Sequence, residues 1–326
     1  MRREETTMRV TVAVAALAAV LAGFPAWAKY PERPIRLIVP YPAGGTTDVL
    51  ARLVAKDMAE ALGQEVFVEN RAGAATIVGV DAAARAPSDG YTILLATATS
   101  FAVNPHIYKK LPYRLDEFIP IGFIGEAPIL LVSPVAYPAR NLTELIGRLK
   151  ADGAGAAIAT TGKGGFSHLT AAMFFNAIGA KYRDVPYRGE APAIQDVVGG
   201  QVNLYFGSMP GTLPHVSSGR LRAYGVTSEQ RSPSAPGIPS FAEQGLPQVV
   251  ATSWFGLSAP KGTPQDVIAT LGVALAKAMK EKSMRDRLAQ EGAVTREMSP
   301  AEFADYIRRD NERWGAIVRA AGVEAE

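Results

Sequence analysis

Ile35-Arg-Leu-Ile-Val-Pro-Tyr-Pro-Ala-Gly-Gly-Thr-Thr-Asp48 runs from an apolar segment through two prolines and two glycines to hydroxyl and carboxylate residues of the kind that cap helices. The segment Ile35 to Pro40 has the length and character of a buried strand. From Val49 the apolar spacing becomes helical, with Leu50, Leu53, Val54, Met58 and Leu62 on one stripe and Gly63 as the stop. Val66 to Glu69 reads as a second strand, Ile77 to Ala86 as an alanine-rich helix, Pro87 to Gly90 as a turn and Tyr91 to Ala96 as a third strand. Strands that alternate with helices in this way specify a parallel sheet with crossover helices, so the expected class is α/β.

Further along, Phe118 to Ile124 and Ile129 to Ser133 are two more strand candidates. From about residue 128 the pattern restarts. Leu142 to Lys150 reads as a helix, Ala156 to Thr161 as a strand, Gly162-Lys-Gly-Gly165 as a glycine loop and Ser167 to Ile178 as a helix. Val185 to Tyr187, Val202 to Phe206 and Leu221 to Val226 read as strands, with a helix over Ala191 to Val198. Pro233, Pro236, Pro239 and Pro247 mark an irregular return, and Ala251 to Ala259 an extended crossover. Pro264 to Lys280 and Pro300 to Ala321 are amphipathic helices whose apolar stripes pack on a lobe. The chain thus holds two α/β units, each with a strand, a glycine loop and a helix, and no repeat at the level of sequence.

Composition narrows the possibilities. The 326 residues are 48% hydrophobic and 20% charged, an ordinary globular balance with length for two domains. The net charge is +3; Arg2, Arg3 and Arg9 against Glu4 and Glu5 account for +1 of it, leaving +2 for the remainder. That balance gives no footprint for nucleic acid. The absence of cysteine removes disulfides, thiolate zinc sites and thiol nucleophiles together. The N-terminus has a basic start, an uncharged apolar run from Val10 to Phe24, Pro25 and then Ala26-Trp27-Ala28. This reads as a secretory signal over residues 1–28, cut after Ala28, and implies a periplasmic protein. The run is shorter than the roughly 20 residues a membrane helix needs.

The two glycine loops carry the chemistry. Each is expected between a strand and a helix N-terminus, where unpaired amides and the helix dipole favour a carboxylate or phosphate. Gly44, Gly45, Gly164 and Gly165 let a ligand approach the backbone, although glycine at such a turn also serves geometry alone. In open α/β sheets the ligand crevice lies at the carboxyl ends of the strands, where these loops fall. Asp48 reads either as a cap of its helix or as a ligand contact, and Ser167 as a cap whose hydroxyl reaches the ligand. Enzyme signatures are missing. There is no G-x-S-x-G elbow, no P-loop and no G-x-G-x-x-G fingerprint, and His106, His168 and His215 lack metal-ligand spacing. A binding protein without metal or cofactor is therefore expected, ahead of a secreted enzyme on the same scaffold.

Several long stretches carry a resemblance. They are YPERPIRLIVPYPAGGTTD (30–48), VENRAGA (68–74), PSDGYTILLAT (87–97), NPHIYKKLPY (104–113), SHL (167–169), VPYRGEAPAIQDVVGGQV (185–202), TSWFGLSAPKGTP (252–264) and RWGAIVRAAGV (313–323). Over essentially the whole mature chain these resemble the Bug-type extracytoplasmic solute receptors of tripartite tricarboxylate transporters. The resemblance implies a two-lobed, type II-like periplasmic-binding-protein fold that closes like a pincer on a small carboxylated molecule. It implies a first lobe of 29–127 plus 250–326, a second of 128–249, and a monomer that hands its ligand to membrane permease subunits. A receptor that signals to a membrane sensor kinase is the alternative. Carried over by position, the first-loop contacts are Tyr41, Ala43, Gly44, Gly45, Thr46 and Asp48. The second-loop contacts are Thr161, Gly165, Phe166 and Ser167. Thr97, Thr99, Ser100 and Tyr187 complete the cleft.

The chain departs from this pattern after the strand VNLYF. Gly207 and Ser208 stand where relatives have an acid followed by Asn, and Asn203 where relatives often have Asp. An acid missing from the cleft implies a ligand without a primary ammonium group. The second loop, with Lys163, Gly164 and Phe166, is bulkier and more basic than usual, and Phe166 reads as a packing residue or a stacking surface for an aromatic acid.

Overall fold

The computed structural model describes residues 30–44, 46–152, 156–162, 164–187, 189–290 and 292–323. The expected secretory signal, residues 1–28, lies outside them. In the first half of the sheet, β1 (Ile35–Val39) pairs in parallel with β2 (Val66–Asn70) and β3 (Thr92–Thr97). Helices α1 (Thr46–Leu62) and α2 (Ile77–Ala84) are the crossovers. A π-helical turn at Thr99–Val103 leads from β3 into the short helix α3 (Asn104–Ile107).

The two strands expected over 118–124 and 129–133 are one 17-residue strand, β4 (Phe118–Pro134). Gly125 and Pro128 fall in the gap between the two expected strands, but the chain stays extended through them, with register shifts between Pro120 and Gly122 and between Phe123 and Gly125. Pro128 falls at the last pair with β9 (Thr252–Pro260), where the loss of one N–H matters least. From Ile129 onward β4 changes partners, pairing with β7 (Leu204–Ser208) on one side and β8 (Leu221–Val226) on the other.

The second half repeats the parallel logic. Strand β5 (Ala156–Thr160) lies between β6 (Tyr182–Pro186) and β7, parallel to both. The helices here are α4 (Leu142–Ala151), α5 (Phe166–Ile178), α6 (Glu190–Val198) and α7 (Met209–Ser217). The full order is β2-β1-β3-β9-β4-β7-β5-β6 with β8 on β4, a curled mixed sheet of nine strands. The α/β class expected from the alternation is the class observed.

The remaining helices are α8 (Gln265–Ala278), α9 (Lys282–Gln290) and α10 (Pro300–Ala321). The polar helix α9 buries only Met284 and Leu288, too weak a stripe to announce itself. In α10 every local signal agrees. Ser299 and Glu302 form a capping box, Pro300 opens the first turn and Gly322 closes the helix in the left-handed conformation. Its inner face sends Phe303 into the core of the first half and Trp314 into that of the second. Each is fully buried, and removal of a side chain of that size from water is worth roughly 1.5–3 kcal/mol. A single helix therefore ties both cores together.

Candidate functional site

Because β1 and β3 are parallel neighbours, their carboxyl ends open on one edge. Tyr41, just past β1, and Thr97, the last residue of β3, share a hydrogen bond between hydroxyls at 3.3 Å. Thr97 donates its backbone N–H to Ser100 Oγ at 3.0 Å, and both of these residues are buried. Burial pushes the Tyr41 phenol above its ordinary pKa, against the opposing pull of hydrogen bonds to Thr97 and Thr99. It is thus a neutral hydroxyl.

The first loop is closed by its own helix. The Gly44 N–H donates to Asp48 Oδ2 at 2.9 Å, four residues on. Arg52 Nε donates to the same oxygen at 3.0 Å, and Asn70 Nδ2 reaches Oδ1 at 2.8 Å and the Tyr41 carbonyl at 3.1 Å. Burial alone would raise the Asp48 pKa, but these donors outweigh it and hold the carboxyl down to about 2. Both carboxylate oxygens of Asp48 are engaged inside the loop. Gly44 turns at φ +85° and has open space where a side chain would be. Ala43 is exposed beside it and Thr46 begins α1; Gly45 lies outside the described residues.

The second loop is closed by the same device. The Gly164 N–H donates to His168 Nδ1 at 3.1 Å, again four residues on. An accepting Nδ1 requires the proton on Nε2, which faces Asp184 Oδ2 at 4.0 Å. Asp184 in turn accepts from Thr160 Oγ1 at 2.7 Å. At the mouth, Thr161 donates its N–H to Ser167 Oγ at 2.8 Å, as Thr97 does to Ser100. The first intrahelical bond of α5 runs from Leu169 N–H to the Gly165 carbonyl. The amides of Phe166 and Ser167 precede it, in the turn where helix geometry supplies no carbonyl.

The other expected residues are placed as follows. Phe166 packs on Trp314, ring centroids 4.8 Å apart. Tyr187 donates its hydroxyl to Asp196 at 2.7 Å and its N–H to the Thr160 carbonyl at 2.8 Å. Thr161, Tyr187 and Ser208 mark the carboxyl ends of the three parallel strands β5, β6 and β7. The second loop lies against α3: a side chain at Gly164 would come within 2.9 Å of Ile107 Cδ1.

The acid expected to be missing after β7 is supplied from another element, by Glu190. Its carboxylate accepts from Ser208 N–H at 2.8 Å and from Ser208 Oγ at 2.9 Å, which places an acid beside the position where one was missing. Gly207 itself has no room, because a Cβ there would lie 2.3 Å from Tyr205 Cε1 and 2.4 Å from Thr212 Cγ2. The inference that the ligand lacks an ammonium group loses its premise. Sequence reasoning also missed Arg52 and Asn70. Arg52 sits one helical turn after Asp48 and Asn70 ends the neighbouring strand, both signals present in the sequence.

Among the described residues, no three His, Asp or Glu side chains are placed to hold a metal ion, and no helix is long and apolar enough to cross a membrane.

Comparison with known proteins agrees with the geometry. The profile of the tripartite tricarboxylate transporter family receptor (TctC) matches residues 50–323. Protein BugT of Bordetella pertussis is 37% identical over 297 residues, 90% of this chain and 91% of that one. Among solved structures, MatC from Rhodopseudomonas palustris with bound malate is 30% identical with a TM-score of 0.78, covering 89% of this chain and all of that one at 100%. R. palustris Rpa4515 with adipate is 30% identical with a TM-score of 0.82, covering 90% of this chain and 99% of that one.

Proposed function

The chain belongs to the tripartite tricarboxylate transporter receptor family, a family of periplasmic solute-binding receptors, and on that premise we propose that it captures a small carboxylated molecule between two lobes and delivers it to the family's membrane permease. The observation that carries this reading is the pair of matched glycine loops, each closed by a hydrogen bond from its own glycine N–H to the side chain four residues on. Each loop stands at the carboxyl end of a parallel strand and opens a helix, where amides and the dipole receive an anion. In this reading the amides of Phe166 and Ser167 and the hydroxyls of Tyr41 and Thr97 face the ligand, while Asp48 and His168 hold the loops in shape.

The lobes would be 29–127 plus 250–326 and 128–249, with β4 and β9 as the crossing strands. Closure is favoured only by the ligand's differential affinity for the closed form. The proposal involves no covalent step and no cofactor, and places the mature protein in the periplasm after cleavage behind Ala28. Malate and adipate, held by the two relatives, make dicarboxylates the first class to try.

Thermal denaturation of the mature chain against mono-, di- and tricarboxylates, aromatic acids and acidic amino acids tests this. A ligand at a hundredfold excess over its Kd stabilises by about 2.7 kcal/mol, a rise of several degrees in a protein of this size. The rise should vanish when the carboxylates are amidated. A flat response to every acid refutes the proposal.

A further inference from the structure

A cavity of about 560 Å³ lies where the two half-sheets join and shares no residue with either glycine loop. Its volume is that of a small-molecule site. The crossing strands contribute Glu126 and Thr252, α10 contributes Tyr306 and Arg309, and the segment after β8 contributes Arg231.

The wall between these residues is polar and internally paired. Glu126 accepts from Arg296 Nη1 at 2.6 Å, from the Tyr306 hydroxyl at 2.7 Å and from Thr252 Oγ1 at 3.1 Å. Asp310 is buried and accepts from Trp254 Nε1 at 2.7 Å and from Arg313 Nη2 at 2.6 Å. Buried carboxylates persist only when paired in this way, and the pairing fixes the wall.

What is left over is donor capacity. Four arginines line the cavity (Arg231, Arg296, Arg309 and Arg313) with Glu126, Glu229 and Asp310, and Glu243 pairs with Arg231 just outside the lining, so the charges balance while many guanidinium donors remain. Of the five N–H groups a guanidinium carries, Arg296 gives one to Glu126, and Arg231 gives two, to Glu243 and the Pro236 carbonyl. Arg309 has no hydrogen-bond or ion-pair partner among the described residues. Three guanidiniums with unspent donors, carried by three separate segments, therefore line one cavity. That is the equipment for gripping an oxyanion by forked hydrogen bonds.

We propose that this cavity is a second ligand site, for a small molecule bearing a carboxylate or phosphate group. Both halves of the sheet furnish its walls, so an occupant biases their arrangement to the extent that it binds one arrangement better.

The two tryptophans among the described residues lie at the two sites, although Trp314 also has the cavity-lining Arg313 over its ring at 5.6 Å. Trp254 Nε1–H bonds Asp310 in the cavity wall, and Trp314 packs on Phe166 at the second glycine loop. The full chain, labelled with nitrogen-15, would be titrated with inorganic phosphate and separately with acetate, the indole signals being assigned through Trp27→Phe and Trp314→Phe. The expected result is a saturable shift of the Trp254 signal with either anion or both, the stronger one naming the preferred group. In Arg309→Glu and in the milder Arg309→Gln the midpoint should rise by about tenfold, the cost of a lost charge-assisted hydrogen bond, with the Trp314 signal unchanged. A Trp254 signal that stays still at millimolar anion, or that titrates identically in both variants, overturns the proposal. A Trp314 shift whose midpoint is the same in both Arg309 variants belongs to the glycine loop, and one that moves with Trp254 belongs to the cavity, so the two outcomes are distinguishable.

Discussion

Replacement of Asp48 by asparagine tests whether charge holds the first loop. Asp48 is only 3% exposed and receives Gly44 N–H, Arg52 Nε and Asn70 Nδ2. Its carboxyl is held at about 2 against an ordinary 3.8. At about 1.36 kcal/mol per pKa unit, that difference is worth on the order of 2 kcal/mol of folding free energy. The folded-state pKa is depressed, so this stability is fully present above about pH 4 and is lost as pH falls through about 2, with roughly half remaining near pH 3. Asparagine keeps the shape but turns one acceptor into a donor, which must then face another donor. Urea denaturation at neutral pH should find Asp48→Asn about 2 kcal/mol less stable than the parent chain, with the gap narrowing to about half near pH 3. A gap below about 0.5 kcal/mol at neutral pH, or one of constant size down to about pH 3, would show that the loop does not depend on an ionised Asp48.

Two further substitutions separate the loops from their surroundings. His168→Leu leaves the buried Gly164 N–H without its acceptor, a cost of about 1–3 kcal/mol, whereas His168→Asn returns an oxygen near the position of Nδ1. Calorimetry with whichever carboxylate stabilises the protein should find Kd raised about fivefold or more in the leucine variant and largely restored in the asparagine variant; equal affinities in the two would dismiss the loop-closing role. Gly207→Asp forces a Cβ to 2.3 Å from Tyr205 Cε1, so the unliganded chain should lose about 1–3 kcal/mol or more by overpacking. An unchanged unfolding midpoint would contradict the placement of that strand.

Much of this architecture was legible in the sequence because the local signals agree with one another. The run from Ile35 to Asp48 announces strand, loop and helix in order, and the capping box at Ser299 and Glu302 announces α10. Strand β4 was not legible as one element. Gly125 and Pro128 are breakers by local rules, and only the change of partner from β9 to β7 and β8 explains why an extended chain continues through them. The loops themselves could be found by composition, but their closure could not. Gly44 with Asp48 and Gly164 with His168 share a four-residue spacing that acquires meaning only once the helix turn places both groups together. Glu190 is the instructive miss. Position along the chain points to the end of β7 for this acid, where Gly207 leaves no room for a side chain. The carboxylate arrives from α6 instead, a juxtaposition made by the parallel packing of β5 and β7 and invisible along the chain.

The matched closures also imply an unequal division of labour. Each loop gives up one glycine amide to its own helix, and so is ordered before any ligand arrives. That reduces the cost of binding, since less freedom remains to be lost. The closing groups nevertheless differ in charge. Asp48 is an ionised carboxylate partly compensated by Arg52, which is half exposed at 52% and so a weak counter-charge. His168 brings no negative charge to its loop, and Asp184 stands behind it at 4.0 Å on the side away from Gly164. A ligand carboxylate at the first loop meets a fixed anion within the same turn; at the second it meets the first-turn amides of α5 without one. On the proposed reading the ligand's negative end therefore belongs to the second loop, and the neutral hydroxyls of Tyr41 and Thr97 take its uncharged or second polar group.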